Sequence, residues 1–414
     1  MPITLNEILK LAVERGASDV HLKAGIIPVI RKQGELRPLS SEAPALTGKE
    51  LEDMAFAIMD ARQKQIFTEN MDVDISYGLT GVGRFRINVL KQRGTIRMVI
   101  RNIPDKVRSI DELLLPDVIK KIASQERGLV LVTGATGSGK SSTLAAIIDH
   151  INRNRSRHIL MIEDPTEYLI KDRKSIITQR ELGSDTLSFA QSLRAALRQD
   201  PDVILIGEMR DKETIEIALM AAETGHLVFS TLHTLDAQES INRILAAFEP
   251  HQQQQIRLQM ASTLKAIVSQ RLCMKADGTA MVPAMEVLIN NSRIADMIAD
   301  SSRTSGIRQA MEESQNVWGM CTFDQYLMAM IEQKLITYEE ALKCSTNPEN
   351  FAIRFSGVQQ MDGKKWNEGT YFGRRLEQEW QEIAEMDVEI TSGGKHVKKA
   401  VGETRAFLKK FRRR

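Results

Sequence analysis

One segment constrains this chain more than any other. Gly134-Ala135-Thr136-Gly137-Ser138-Gly139-Lys140-Ser141 matches G-x-x-x-x-G-K-[ST]. Its flanks match as well. Arg127-Gly128-Leu129-Val130-Leu131-Val132-Thr133 precedes it with the composition of a buried strand, and Ser142 to Ile151 follows with helical spacing. Around it, from Leu113 to about Phe355, short apolar runs alternate with helical stretches, the pattern of a mostly parallel sheet covered by helices. The runs Leu129–Val132, Ile159–Ile162, Val203–Ile206 and Leu227–Ser230 are the expected strands.

Glycines in such a loop let successive backbone N–H groups turn toward one centre and bind phosphate oxygens. The following helix adds its positive dipole end. Gly134, Ala135, Thr136, Gly137, Ser138, Gly139, Lys140, Ser141 and Ser142 are therefore the expected nucleotide-binding residues. Lys140 would reach the β- and γ-phosphates of ATP, and the Ser141 hydroxyl would coordinate Mg²⁺. An ordinary Gly-rich turn is the plainer alternative, and motif and context together disfavour it.

In parallel sheets, ligands sit beyond the carboxyl ends of the strands. Val203-Ile204-Leu205-Ile206 ends in Gly207-Glu208, and Ile159-Leu160-Met161-Ile162 ends in Glu163-Asp164-Pro165. An ATPase needs a group to orient or deprotonate the attacking water, and oxygen ligands for hydrated Mg²⁺. Glu163 is assigned to the water and Glu208 to the Mg²⁺ shell, although the sequence permits the exchange of these roles. Asp202 stands at the start of its strand, on the wrong side for the metal.

Gly225-His226-Leu227-Val228-Phe229-Ser230-Thr231-Leu232-His233 places two histidines around one strand. At about 3.3 Å per residue they lie roughly 23 Å apart when extended, too far to share a γ-phosphate. His233, at the carboxyl end, is the expected γ-phosphate sensor. For His226 a structural hydrogen bond is at least as good a reading.

The first hundred residues read as a separate small α/β unit. Leu5, Ile8, Leu9, Ala12 and Val13 predict an opening amphipathic helix, Leu51 to Phe67 a further helical stretch, and Asp72 to Ile100 strands joined by glycines. Arg84 and Arg86 share one strand face, with Arg93, Arg97 and Arg101 following. Such a face is costly to bury without anions. It is either solvated or set against ATP held by a neighbouring subunit, where Arg84, Arg86 or Arg97 would neutralise transition-state charge in trans. Asn102-Ile103-Pro104-Asp105 reads as a turn. The expected organisation is 1–104, a linker 105–112, an ATPase unit 113–356 and a tail 357–414. Within the second unit, the spacing from Gln252 to Met361 predicts almost continuous helix.

Composition narrows the rest. The 414 residues carry a net charge of +2, which argues neither for nor against nucleic acid. No run of basic residues interleaves with aromatics, and aromatic content is 5%, so no nucleic-acid partner is expected. Cys273, Cys321 and Cys344 form no C-x-x-C pair, as expected of reduced cytoplasmic thiols. No apolar run is long enough for a transmembrane segment, and Met1 to Lys10 lacks a signal-peptide core. The expectation is a protein that stays in the cytoplasm unless a partner recruits it to a membrane.

Four motifs occur in order. They are the phosphate loop, Ile162-Glu163-Asp164-Pro165-Thr166-Glu167-Tyr168, Leu197-Arg198-Gln199-Asp200-Pro201-Asp202 through Gly207-Glu208-Met209-Arg210-Asp211, and Glu223-Thr224-Gly225-His226 through Leu232-His233-Thr234. Together they resemble the Walker A, Asp box, Walker B and His box of the type II/IV secretion ATPase family. Arg15-Gly16-Ala17-Ser18-Asp19-Val20-His21 resembles that family's N-terminal domain. The resemblance covers about residues 3–356 and points to the twitching-motility, pilus-retraction branch, since a longer N-terminal region and a tetracysteine zinc element are missing. It implies an α/β chain with a PAS-like N-terminal domain and a RecA-like P-loop ATPase domain with helical C-terminal extension. It also implies a homo-hexamer that spends ATP on pilus disassembly through an inner-membrane platform protein, alongside companion ATPases. One departure is Gln333-Lys334-Leu335-Ile336, where retraction ATPases typically have Ala-Gly-Leu-Ile. An accessory retraction ATPase or another secretion-system ATPase is therefore the alternative. A nucleic-acid translocase and a nucleotide-gated regulatory subunit rank below it.

Overall fold

The computed structural model describes residues 3–32, 34–40, 43–104, 106–314 and 319–360, the side chains of 357–360 excepted. Most of the predicted tail lies outside the described residues.

The first sheet is antiparallel throughout, in the order β3-β2-β1-β6-β5-β4. Its strands are β1 (Asp19–Lys23), β2 (Val29–Lys32), β3 (Glu35–Pro38), β4 (Asp72–Leu79), β5 (Gly83–Gln92) and β6 (Thr95–Ile103). The strands alternate by face. Phe85, Ile87 and Val89 of β5 and Ile96, Met98 and Ile100 of β6 are buried, in one core with α1 (Leu5–Glu14), α2 (Gly48–Ile58) and α3 (Ala61–Asn70). Each helix opens on a capping box: Thr4 with Glu7, Thr47 with Glu50, Asp60 with Gln63. The last of these boxes splits the predicted stretch 51–67 into two helices. The opposite face of β5 carries Arg84, Arg86 and Asn88, as the period of two predicts. Asn102 and Ile103, expected in a turn, instead continue β6, where their backbone pairs with β5, and Asp105 lies outside the described residues.

The second sheet follows the order β13-β12-β7-β11-β10-β8-β9. Its parallel part contains β7 (Gly128–Thr133), β8 (His158–Glu163), β9 (Ile176–Glu181), β10 (Val203–Ile206) and β11 (Leu227–Leu232). Every residue of β7, β10 and β11 is buried, because helices cover both faces. The connecting helices include α4 (Val118–Ala123), α5 (Lys140–Asn154), α6 (Phe189–Ala196), α7 (Lys212–Glu223), α8 (Ala237–Leu245) and α9 (Pro250–Thr263).

The prediction of near-continuous helix over 252–361 fails between 264 and 289. There β12 (Leu264–Met274) runs parallel to β7, and β13 (Met281–Ile289) returns antiparallel through a turn at Asp277-Gly278. These segments are buried strands with few exposed positions, so their apolar residues leave no period of two to read. Helices do follow, at Ser292–Ala299, Ile307–Glu313, Phe323–Glu332, Tyr338–Cys344 and Pro348–Gln360.

Candidate active site

Strand order builds the site. β11 lies between β7 and β10, and β8 lies beyond β10. The carboxyl ends of these four strands therefore deliver the phosphate loop, His233, Glu208 and Glu163 along one edge. A cavity of about 510 Å³ opens there. Thr136, Gly137, Gly139, Lys140, Ser141 and Ser142 line it, together with Glu163, Glu208 and His233. Gly134, Ala135 and Ser138, also expected to bind nucleotide, are not among the residues that line it. The carbonyls of Gly134 and Ala135 accept from Lys140 Nζ at 2.8 and 3.0 Å. Gly134 and Gly139 have φ values of +143° and +89°, and a Cβ on either would meet neighbouring atoms at 2.4 and 2.7 Å. Only glycine fits both the backbone and the space.

The acids differ sharply. Glu208 Oε2 faces Arg210 Nε at 2.8 Å and His233 Nε2 at 3.4 Å. Glu163 is half-buried where it lines the cavity, and desolvation pushes its pKa up to about 7. Glu167 and Glu181 push in the same direction, while a hydrogen bond from Gln179 Nε2 at 3.0 Å opposes them. Burial lowers the pKa of Lys140, against the pull of Glu208 and Glu167. A carboxyl that titrates near neutrality can take up a proton from water at working pH.

The two histidines separate as their strand requires. His226 Nδ1 lies 2.9 Å from the carbonyl of Ala221, at the far end of β11, in the structural position. Asp202, likewise at the far edge, accepts from Arg157 at 2.9 Å and from the His158 backbone at 2.8 Å.

Arg84, Arg86 and Arg97 do not line the cavity. Arg84 pairs with Glu181 of the same chain at 3.4 Å, and Arg86 with Asp74 at 3.3 Å. Arg97 Nε is buried without a hydrogen-bond partner among the described residues. Glu181 also accepts from Ser76 and from the backbone N–H of Thr166, so one buried carboxylate joins the first sheet to the edge of the second.

The sequence by itself assigns no role to Arg210, Gln179 or Tyr168, yet all three border the site. Arg210 stands two residues beyond Glu208, a spacing that could have flagged it. Tyr168 shares a hydrogen bond of 2.7 Å with Ser142. Gln179 comes from β9, a polar edge strand with no local signal.

No group of three or more His, Cys, Asp or Glu among the described residues could hold a metal ion by itself. Ser141 and Glu208 both face the cavity, which fits an ion held jointly with nucleotide phosphates.

Comparison with known proteins agrees with this geometry. Residues 1–361 match the family described as Type II/IV secretion system protein. The type IV pilus retraction ATPase PilT of Pseudomonas aeruginosa is 41% identical over 347 residues, covering 84% of this chain and 99% of that protein. The type IV pilus ATPase PilU of the same organism is 39% identical over 336 residues, covering 81% and 87%. A crystal structure of the pilus retraction motor PilT with bound ADP superposes with a TM-score of 0.78 at 45% identity, covering 84% of this chain and 98% of that one. The fold is thus that of a two-domain ATPase, with an N-terminal domain and a C-terminal RecA-like domain, and the chain belongs to the type II/IV secretion system ATPase family.

Proposed function

We propose that this protein is an ATP-driven motor for type IV pilus retraction. The observation that carries the reading is the convergence of Lys140, Glu163, Glu208 and His233 on one cavity at the carboxyl edge of the second sheet. The loop amides and Lys140 hold the β- and γ-phosphates of ATP. Glu163, poised near neutrality, orients the attacking water and accepts its proton. His233 and Arg210 flank Glu208 and can report on the state of the γ-phosphate. Mg²⁺, held by Ser141 and Glu208 with the nucleotide, would offset phosphate charge.

The unit of action is a ring of six at the cytoplasmic face of the inner membrane, seated on a platform protein. Residues 1–104 form the N-terminal domain, 105–112 the linker and 113–356 the motor domain, while 357–414 is a tail without an assigned role. In the ring, Arg84, Arg86 and Arg97 serve the ATP of a neighbouring subunit. Glu181 would hold Arg84 until domain rotation frees it.

Gln333-Lys334 keeps the accessory retraction reading as an alternative. Lys334 has φ +58°, the left-handed conformation for which glycine is suited. Lys334 thus holds a conformation that a glycine would adopt without strain.

The test is complementation in a piliated bacterium lacking its own retraction ATPase. Wild-type protein should restore surface twitching and Glu163→Gln should not. Vigorous ATP hydrolysis in vitro with no restored retraction, alone or beside a companion retraction ATPase, would refute the pilus assignment.

A further inference from the structure

β12, which the sequence pattern concealed, carries Gln270 directly beneath the phosphate loop. Gln270 is buried, and both ends of its amide are engaged. Nε2 donates to the backbone carbonyl of Ser138 at 2.7 Å, and Oε1 accepts from the Thr143 hydroxyl of α5 at 2.7 Å. The loop lies so close that a Cβ on Gly139 would come within 2.7 Å of Gln270 Nε2, and one on Gly134 within 2.4 Å of the Gln270 carbonyl. Next to it, the Thr133 hydroxyl donates to Ser269 Oγ at 2.9 Å, tying the strand that enters the loop to the same neighbour.

The carbonyl of Ser138 and the N–H of Gly139 belong to one planar trans peptide, so they point in opposite directions. A donor that holds the carbonyl back, away from the cavity, directs the N–H forward. If that peptide flipped, it would present a carbonyl dipole to phosphate oxygens in place of a donor. We propose that Gln270 is a positioning residue for the nucleotide, fixing the Ser138–Gly139 peptide so that its N–H faces the bound phosphates. The proposal rests on the reading of the cavity as a nucleotide site. Gln270 itself touches no substrate. Its contribution falls on phosphate binding, so ADP and ATP depend on it alike.

Three variants of the full chain separate this from packing. Gln270→Leu keeps apolar bulk and removes the donor to the Ser138 carbonyl. Gln270→Met keeps length and lacks the amide, and serves if the leucine variant does not fold. Thr143→Val removes only the second hydrogen bond. The measurement is equilibrium binding of a fluorescent ADP analogue, with thermal midpoints alongside, followed by KM and kcat for ATP. Leaving one buried carbonyl without its donor should raise Kd about tenfold or more in both Gln270 variants, with KM rising more than kcat falls. Thr143→Val should stay within about twofold, because its bond does not bear on the peptide. Wild-type affinity in a folded Gln270 variant overturns the proposal, as does an equal loss in Thr143→Val. Failure of the wild-type protein to bind nucleotide would instead remove the functional reading, and the proposal with it.

Discussion

Replacing Gln179 by Leu should shift the pH dependence of turnover rather than simply reduce it. Gln179 Nε2 donates to Glu163 Oε2 at 3.0 Å and to the Tyr168 carbonyl at 2.9 Å. The first bond favours the ionised carboxylate, against the burial and the neighbouring Glu167 and Glu181 that hold the pKa up at about 7. A hydrogen bond to a charged group contributes about 1.5–3 kcal/mol, and the shared donor argues for the low end, or about one pKa unit. Glu163 acts as a base only when ionised. In wild-type protein about half the carboxyls are ionised at pH 7, and with a pKa near 8 only about one in eleven would be. Turnover at pH 7 should fall about fivefold and recover by pH 9. The assay is steady-state ATP hydrolysis at saturating ATP from pH 6 to 9. Gln179 also supports Ile170 through an acceptor bond of 3.0 Å, so some loss at all pH values is expected, and the displaced acid limb is the readout. A profile that drops uniformly, with its midpoint unmoved, would refute the role of Glu163 as the titrating base.

Other consequences can be tested separately. Arg86→Ala should lower turnover while an isolated subunit still binds nucleotide, and equal loss of both would count against action in trans. Glu286 is buried and its pKa is pushed up to about 7, chiefly by burial, so the folded state holds a proton that the unfolded state releases. Its contribution is present below about 4.5 and lost as pH rises through about 7. Glu286→Gln should accordingly flatten that decline, by on the order of 3 kcal/mol at most, in denaturant titrations at pH 5 and pH 8. Phe323 is fully buried, with the Arg271 guanidinium 3.9 Å from its ring centroid, and Phe323→Ala should cost about 3–5 kcal/mol in the same titration. Lys334→Gly should raise stability by about 1 kcal/mol by relieving the left-handed backbone, and a loss would indicate that the lysine side chain contributes more than its conformation costs.

The legible parts of this protein were those encoded locally. The phosphate loop is a contiguous run whose glycines answer to backbone angles and close contacts, so it reads directly from the sequence. Glu163, Glu208 and His233 were found by one rule, that ligands gather at carboxyl ends of parallel strands, and all three line the cavity. The arginine face of β5 followed from a period of two. What stayed hidden depended on partners distant in sequence. The strand character of β12 comes from its pairing with β7, more than a hundred residues earlier, and its buried faces erase the alternation that would have marked it. Gln270 could not be singled out until that strand was placed. Gln179 and Glu181 lie on the edge strand β9, where polar residues look like loop and acquire meaning only from the pairing of Glu181 with Glu163.

The central claim is that this cavity hydrolyses ATP in a ring whose sites are shared between subunits. Steady-state hydrolysis measured against protein concentration, with Glu208→Gln alongside and the protein sized at each dose, tests it most directly. Specific activity should rise as the ring assembles and vanish in the variant. Full activity in a species sized as a monomer, or turnover unchanged by Glu208→Gln, would contradict it.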